Sequence, residues 1–341
     1  MRPELRVGVV YDFRNTPQSG IDNPSFYAKL LDPAVWLEGL GLDLIWFTEH
    51  HFVNDGFLPS WIPVASAMAA RTNRVRFSSD ISILPLYHPV RLAEDLAVLD
   101  NLSRGRVDIG VGLGYVPRDF AGYGYPVSHR VSRTDEGLKI LARCFSGERF
   151  SFSGKRYQTK DVLIRPEFVQ EGGPPLWVAA SSREGALRAT RFNAHLLPQG
   201  PFETTHPSVA RCPPLRWEGP RRLSPGDHQT RFRHQRQRSR LARDQNGRAL
   251  PDGILRRGLQ DGWTRRATRP GQGTYQSELA GRRRRSLRPR VNRLHPRHRI
   301  TDFVTWAVPP GLRPEAVESS LHQFTTEVVP RLKNAILDQK G

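Results

Sequence analysis

The segment that decides the fold is residues 42–52, LDLIWFTEHHF. Its apolar run from Leu42 to Phe47 has the length and composition of a buried β-strand. The run passes directly into the polar, titratable residues Thr48-Glu49-His50-His51. In folds built on parallel strands, the residues that follow the carboxyl ends of the strands form the functional site. This segment therefore predicts a strand and a site at its end.

A short apolar run followed by a longer amphipathic stretch repeats on both sides of this segment, up to about residue 200. We predict strands at Leu5–Tyr11, Leu42–Phe47, Val75–Ile83, Val107–Val111, Leu176–Ala179 and His195–Leu197. We predict helices at Pro24–Leu40, Ile62–Thr72, Pro89–Leu102, Arg130–Phe145 and Ser182–Arg191. Residues 147–175 interrupt the alternation and predict a hairpin. Six such units favour an α/β fold of the (β/α)8, or TIM-barrel, type over a lone nucleotide-binding half.

The net charge of +19 arises in one part of the chain. Residues 211–300 hold 25 of the 52 basic residues, all of them arginine, and 6 of the 33 acidic ones. This part follows no helical or strand period. We therefore divide the chain into a barrel part, residues 1–204, an aberrant arginine-rich segment, residues 205–299, and a closing part, residues 300–341. The closing part is expected to hold the last strand, Thr301–Val308, and a helix, Pro314–Leu337. The barrel is expected to be incomplete, because its seventh strand would fall in the arginine-rich segment.

Three interpretations of the arginine-rich segment are open. The favoured one is a stretch translated in the wrong frame of a GC-rich gene, which would leave an inactive product. The others are a genuine insert without structure of its own, and an arm that binds nucleic acid through phosphate contacts. Nucleic-acid binding is the least favoured of the three. Sequencing the gene tests the first, because a frame error requires a compensating insertion and deletion around the segment.

Composition excludes several protein classes. The two cysteines, Cys144 and Cys212, are too few for a disulfide framework. No apolar stretch approaches the roughly 18 residues that a membrane helix requires. The first residues carry charges where a signal peptide has its apolar core. We therefore expect a soluble, cytoplasmic protein with no membrane partner.

Three further motifs accompany Glu49-His50-His51 in a fixed order. They are ILPLYHPVRLAED at residues 83–95, LDNLSRGR at residues 99–106 and GVGLG at residues 110–114. Together these motifs closely resemble the bacterial luciferase-like family of flavin-dependent monooxygenases. The resemblance covers residues 5 to about 200 and returns at residues 300–335. It implies a (β/α)8 barrel that binds reduced FMN, or in one branch a deazaflavin, at the carboxyl ends of the strands.

The resemblance implies that His50 is the active-site histidine, a general acid/base or an orienting group beside the flavin. His51 should point to the opposite side, because side chains alternate along a strand. We expect no metal site, since neither HExxH spacing nor a cysteine pair is present. The stretch Asp80-Ile81-Ser82 corresponds to the place where the family often has a non-proline cis peptide under the flavin ring. An ordinary trans strand end is the alternative there.

The remaining predicted cofactor contacts lie at two later strand ends. Gly112, Leu113 and Gly114 would let a flat ring or a phosphate approach the backbone, although Leu113 stands where the family often has an arginine. We expect no helix after these glycines, which argues against a dinucleotide-binding motif. Ser181 and Ser182 are predicted to bind the flavin phosphate at a helix start, with simple helix capping as the alternative.

The predicted function is oxidation of a small organic substrate by O2 and reduced FMN. Because no nicotinamide motif is present, a separate flavin reductase is expected to supply the cofactor. Deazaflavin-dependent hydride transfer on the same fold is the alternative enzyme. A nucleic-acid-binding protein is the alternative from another class. Members of the family are commonly dimers, so a homodimer is one expectation.

Overall fold

The computed structural model describes residues 6–199, 302–306 and 318–330. The arginine-rich segment, with the seventh strand expected there, lies outside these residues. The division of the chain at residues 204 and 299 therefore stays a prediction.

The described residues form ten strands and eight α-helices, which largely follow the predicted order. The strands are β1 Arg6–Tyr11, β2 Leu44–Phe47, β3 Arg76–Ser79, β4 Ser82–Ile83, β5 Ile109–Gly112, β6 Phe150–Ser153, β7 Gln158–Val162, β8 Leu176–Ala180, β9 His195–Pro198 and β10 Asp302–Trp306. The helices are α1 Asn23–Leu31, α2 Pro33–Gly39, α3 Trp61–Ala69, α4 Pro89–Ser103, α5 Pro117–Gly122, α6 Arg130–Phe145, α7 Arg183–Arg191 and α8 Glu318–Gln323.

The parallel strands follow one another in the sequence expected for a barrel. One sheet has the order β10-β1-β2-β3, the other has the order β4-β5-β8-β9, and a parallel bridge between Phe77 and Val107 joins them. Leu197 in β9 and Val304 in β10 pack against the same inner cluster of Val10, Leu44 and Trp46. The strands at both ends of the series thus contribute to one interior. The fold is an α/β fold of the TIM-barrel type, as predicted, and β6 and β7 form the predicted hairpin.

The helices cover the outside of the strands through apolar faces. In α4, Leu92, Leu96 and Leu99 are fully buried, as their helical spacing predicts. Burying a side chain of this kind contributes about 2 kcal/mol relative to leaving it in water. These contacts hold the helices on the barrel and leave the strand ends free to build sites.

Two predictions about helices require correction. The predicted helix Pro24–Leu40 is divided into α1 and α2 at Pro33, which has no backbone N–H for an intrahelical bond. A helix does follow the glycines of β5, because α5 begins at Pro117, and proline suits a first helical position. The described part of the predicted helix Pro314–Leu337, residues 318–330, is helical, as α8 followed by a π-helical stretch, Phe324–Val328.

The amino-terminal end of the barrel is crossed by ion pairs. The buried Asp108 carboxylate lies 3.3 Å from Arg6 Nη2, and Arg76 Nε donates to it at 3.1 Å. Arg6 belongs to β1, Arg76 to β3, and Asp108 directly precedes β5. Phe77 of β3 bridges Val107, whereas β1 pairs with neither of these segments, so the Arg6 side chain reaches Asp108 across the barrel. The ion pairs therefore join the strands at the end opposite to the predicted site.

Candidate functional site

His50 lies just after β2, at the carboxyl ends of the strands. Its Nδ1 atom is 3.2 Å from Asp119 Oδ2 in α5, and its side chain is 21% exposed. The rings of Phe57 and Tyr115 stand edge to face with the imidazole, with centroids 4.7 and 5.9 Å away. Tyr115 itself is largely exposed. His50 thus presents one edge of its ring between aromatic side chains at the predicted location.

His51 is buried and has different neighbours from His50; both histidines follow the end of β2 at Phe47, so the prediction from strand alternation is not tested. Its Nε2 atom is 3.2 Å from Glu49 Oε1, which also accepts a hydrogen bond from Ile83 N. The Tyr87 hydroxyl donates to the second Glu49 oxygen. Burial, together with the Glu49 charge, raises the pKa of Tyr87 well above its usual value, so this hydroxyl keeps its proton. Glu49 therefore joins β4 to the loop that follows β2 and holds His50 and His51 (the histidine loop).

The peptide bond between Asp80 and Ile81 is cis, as the resemblance implies. It separates β3 from β4, so the single predicted strand Val75–Ile83 forms two strands. Ile81 is half-buried, and its side chain fills the space next to Gly112. Ser82 is fully buried and accepts a hydrogen bond from Trp61 Nε1 at 2.8 Å. The Ser82 hydroxyl thus packs below the carboxyl ends of the strands, towards α3.

The half-buried Asp80 carboxylate accepts a hydrogen bond from Gln199 Nε2 at 2.9 Å. Gln199 follows β9, and β9 and β3 are not adjacent. This hydrogen bond therefore crosses between two separate strand ends. Burial raises the pKa of the Asp80 carboxyl, and the bond from Gln199 opposes that rise.

The glycines at the end of β5 have two different structural roles. A Cβ atom at Gly110 or Gly112 would overlap the Ser79 carbonyl or the Ile81 side chain. These glycines therefore allow the strand with the cis peptide to pack closely. Gly114 has a φ of +67°, in the left-handed region that favours glycine. Leu113 and Gly114 are half-buried, and a Cβ atom at Gly114 would overlap the Ile83 side chain.

Ser181 and Ser182 lie between β8 and α7. Ser182 is the N-cap of α7, and its side chain accepts a hydrogen bond from Gly185 N at 3.2 Å. Ser181 is exposed, as is Arg183, the first residue of the helix. Ser182 therefore caps the helix, which was the alternative prediction. Ser181 is exposed next to the first turn of α7.

Sequence reasoning missed three polar residues at this end of the barrel. Asp119 lies in a segment that carries no strand-end signal of its own, whereas Gln199 directly follows β9. Asp12 directly follows β1, so the rule used for Glu49 and His50 could have found it. Asp12 is 3% exposed, and its Oδ2 atom has no hydrogen-bond partner among the described residues. Burial raises the pKa of this carboxyl to about 6.

Among the described residues, several buried strand donors lack a hydrogen-bond partner. Three of them lie in β2, β3 and β8, namely Trp46 Nε1, Ser78 Oγ and Trp177 Nε1. Trp46 and Ser78 are paired residues of β2 and β3, and the Trp46 and Trp177 rings meet edge to face at 5.8 Å. A buried donor without a partner costs about 1–3 kcal/mol. Such a set is expected where a group carrying acceptors completes the structure.

The described parts of the chain contain no group of three His, Cys, Asp or Glu side chains that could hold a metal ion. None of their helices is both long and apolar enough to cross a membrane.

Comparison with known proteins identifies the family. The model of the luciferase-like monooxygenase family matches residues 5–215, more than half of the chain. The chain therefore belongs to this enzyme family.

Two curated relatives illustrate the similarity. The chain is 33% identical over 159 residues to 4-hydroxyprotoasukamycin monooxygenase of Streptomyces nodosus subsp. asukaensis, covering 46% of this chain and 43% of the relative. It is 28% identical over 142 residues to the oxygenase component of the flavin-dependent trigonelline monooxygenase of Acinetobacter baylyi, covering 41% and 39%. The matches thus span less than half of each relative.

The crystal structure of the monooxygenase RslO1 from Streptomyces bottropensis shares the fold. It superposes with a TM-score of 0.69 at 19% identity, covering 96% of this chain and 99% of RslO1. At this identity the likeness concerns the fold alone.

Proposed function

We propose that this chain is a flavin-dependent monooxygenase that uses reduced FMN and O2 to oxidise a small organic substrate. The observation that carries the proposal is the accessible His50 ring, with the Asp80–Ile81 cis peptide and the Gly114 turn likewise at the carboxyl ends of the strands of a barrel. Membership of the luciferase-like family supports the same chemistry. His50 would act as the acid or base at the edge of the flavin.

The residues present fit a flavin. The partnerless donors Trp46 Nε1, Ser78 Oγ and Trp177 Nε1 suit the two carbonyl oxygens of the isoalloxazine. Leu113 and Gly114, with Asp80 and Ile81, would border the ring. Bound reduced flavin supplies two electrons, so that one atom of O2 enters the substrate and the other leaves as water. The chain would supply binding, orientation and proton handling.

The start of α7 would hold the phosphate. Ser181 and Arg183 are exposed there, and the first backbone N–H groups of a nine-residue helix favour an anion. Ser182 would contribute by fixing the helix start through its cap. Leu113, in place of the family's frequent arginine, offers no charge to the phosphate.

A binding experiment tests the phosphate site. Titration of the full chain with FMN or riboflavin, followed by tryptophan fluorescence, measures the two affinities. The variant Ser181→Glu should weaken FMN binding about tenfold or more, because it sets a negative charge beside the phosphate. Riboflavin, which lacks the phosphate, should bind the variant as it binds the original chain. Equal losses for both ligands, or none, would contradict the assignment of Ser181.

An activity experiment tests the reaction. The full chain is mixed with reduced FMN in air-saturated buffer, and O2 consumption and H2O2 release are measured. An oxygenase should change both quantities relative to free reduced FMN. Binding of a reduced deazaflavin without a change in O2 consumption would instead favour the hydride-transfer alternative. Failure to bind either cofactor would overturn both enzyme proposals. The nucleic-acid-binding alternative, which depends on the arginine-rich segment, would then remain.

Two partners belong to the same proposal. The relative from Acinetobacter is named an oxygenase component, which supports a separate reductase as the source of reduced FMN. A homodimer is the second expectation, and sedimentation of the purified chain measures it.

A further inference from the structure

The loop after β2 holds two neighbouring histidines, and each faces its own carboxylate. His50 Nδ1 is 3.2 Å from Asp119, and His51 Nε2 is 3.2 Å from Glu49. Both carboxylates are fully buried. The two pairs differ in what the second ring nitrogen meets. His51 Nδ1 lies 3.4 Å from the Tyr123 hydroxyl, whereas no described residue bonds to His50 Nε2.

The contact with Asp119 decides which His50 nitrogen carries the proton. A carboxylate only accepts hydrogen bonds, so His50 Nδ1 must donate. In the neutral ring Nε2 then carries the lone pair, and it is the nitrogen left for a reacting group. Arg118 Nε, 3.5 Å from the other Asp119 oxygen, balances the negative charge.

Independent contacts hold Asp119 in place. Arg118, its neighbour in α5, donates from Nε to the His51 carbonyl oxygen at 3.3 Å. The Phe52 ring packs so closely on Gly122 that a Cβ atom there would overlap it. These contacts fix α5 to the histidine loop on both sides of Asp119. The carboxylate is therefore set against His50 by the fold, and its position does not depend on the single hydrogen bond.

We propose that Asp119 is a positioning residue, which holds His50 with the proton on Nδ1 and the Nε2 lone pair directed to the reacting groups. The inference rests on the proposed role of His50 as an acid or base. It adds the residue that selects the working form of the ring. Asp119 itself would touch neither substrate nor cofactor.

The first test reads the tautomer of His50 without any cofactor. The full chain labelled with 15N-histidine is measured by NMR, and His50→Gln identifies the signals of His50. We expect the Nδ1–H form in the original chain. In Asp119→Asn the carboxamide can donate to Nδ1, so the population should shift towards Nε2–H. An Nε2–H form in the original chain, or an unchanged tautomer in Asp119→Asn, would overturn the proposal.

Glu49→Gln is the matched control, because it neutralises the carboxylate of the neighbouring histidine at the same distance. It should alter the His51 signals and leave the His50 tautomer unchanged. A His50 shift of equal size in Glu49→Gln would mean that the loop as a whole, rather than Asp119, selects the tautomer. That result would also overturn the proposal.

The second test separates positioning from binding. Asp119→Asn should lower kcat by about 10²–10⁴-fold while the Kd for FMN changes less than threefold. Asp119→Glu keeps the acceptor and should restore part of the activity together with the Nδ1–H tautomer. An Asp119→Asn variant with full activity would contradict the inference. Should Asp119→Asn fail to fold, Asp119→Glu still tests the proposal, because loss of the Nδ1–H tautomer there would overturn it. If Asp119→Asn shifts the His50 tautomer as expected but the original chain shows no O2-dependent turnover, the proposed function fails while the positioning role of Asp119 stands.

Discussion

The two ends of the barrel use buried charges in opposite ways. At the amino-terminal end, Asp108 is paired with Arg6 and Arg76, so its charge is compensated inside the protein. At the carboxyl end, Asp12 is equally buried but keeps one oxygen without a partner, and His50 keeps one free ring nitrogen among the described residues. A paired charge is compensated within the fold, whereas a buried polar group without a partner costs stability. Under the proposed function, the amino-terminal end supports the barrel and the carboxyl end binds the ligand.

Hydrogen bonds cross the barrel at both ends, yet they differ in strength. The Asp108 contacts join three strands through charged partners. At the other end, the neutral Gln199 amide donates to the Asp80 carboxyl. An ion pair adds a Coulomb attraction that a neutral donor does not supply. The Gln199–Asp80 bond is thus expected to be weaker than the Asp108 contacts.

The largest expected effect is on catalysis at the carboxyl end. His50→Gln should lower the rate of O2-dependent turnover by about 10²–10⁴-fold, because it removes the proposed acid or base. The free energy of unfolding should change by less than about 1 kcal/mol, since the side chain is partly exposed. Steady-state kinetics and urea denaturation measure the two effects. His322→Gln, on an exposed part of α8, is the control. Turnover of His50→Gln equal to that of His322→Gln would contradict the role of His50.

The next effect is on stability at the amino-terminal end. Asp108→Asn should lower the free energy of unfolding by about 3–5 kcal/mol, because two arginines lose their buried counter-charge. Turnover per folded molecule should stay within twofold. The control is Asp95→Asn, which removes an exposed ion pair with Arg91 and should cost no more than about 0.5 kcal/mol. A change in Asp108→Asn as small as in the control would remove the distinction between the two ends.

A smaller effect, of up to about 3 kcal/mol, is expected from the titration of Asp12. Its folded-state pKa of about 6 lies above the ordinary 3.8, so the folded chain binds the proton more tightly. The resulting stability is complete below about pH 3.8 and is lost as the pH rises through about 6. The difference in unfolding free energy between the original chain and Asp12→Asn should therefore fall from pH 4 to pH 7.

Urea denaturation across this pH range measures that difference. Comparing the two chains at each pH cancels the titration of all other groups. A difference that stays constant, or that grows with pH, would show that Asp12 does not carry a buried charge at neutral pH.

The smallest effect is expected at the contact between Tyr123 and the buried His51. Tyr123→Phe removes a 3.4 Å contact between the hydroxyl and His51 Nδ1, and Tyr123 is partly exposed. It should cost less than about 1 kcal/mol of stability and leave the His50 tautomer unchanged. Thermal denaturation and the same NMR measurement check both points. A large loss of activity would mean that the His51 pair takes part in the chemistry as well.

The elements that could be predicted are those with local signals. The strands and the long helices α4 and α6 have apolar spacings that their own residues define, and the bounds agree within a few residues. The break at Pro33 is likewise a local signal that the predicted continuous helix overlooked. The helix α5 was missed because its six residues carry no period long enough to detect.

The site was predicted only in part, for the same reason. His50 stands in a motif at the end of a strand, so its sequence position identifies it. Asp119 lies 69 residues away and Gln199 lies 119 residues from Asp80, and no spacing in the chain connects these pairs. The structural role of Gly110 and Gly112 could not be predicted either, because it depends on residues that pack against them. The Ser79 carbonyl and the Ile81 side chain fill the space that was expected for a ligand.

By itself, the amino-acid sequence determined the barrel class, the order of its strands, the family and the position of His50, because short-range periodicity and contiguous motifs carry that information. Only the tertiary structure decided which groups face one another: Asp119 with His50, Glu49 with His51, Gln199 with Asp80, and Asp108 with two arginines. Hydrogen bonds and ion pairs act over about 3 Å, and strands that are distant in the chain come that close only after the sheet has curled.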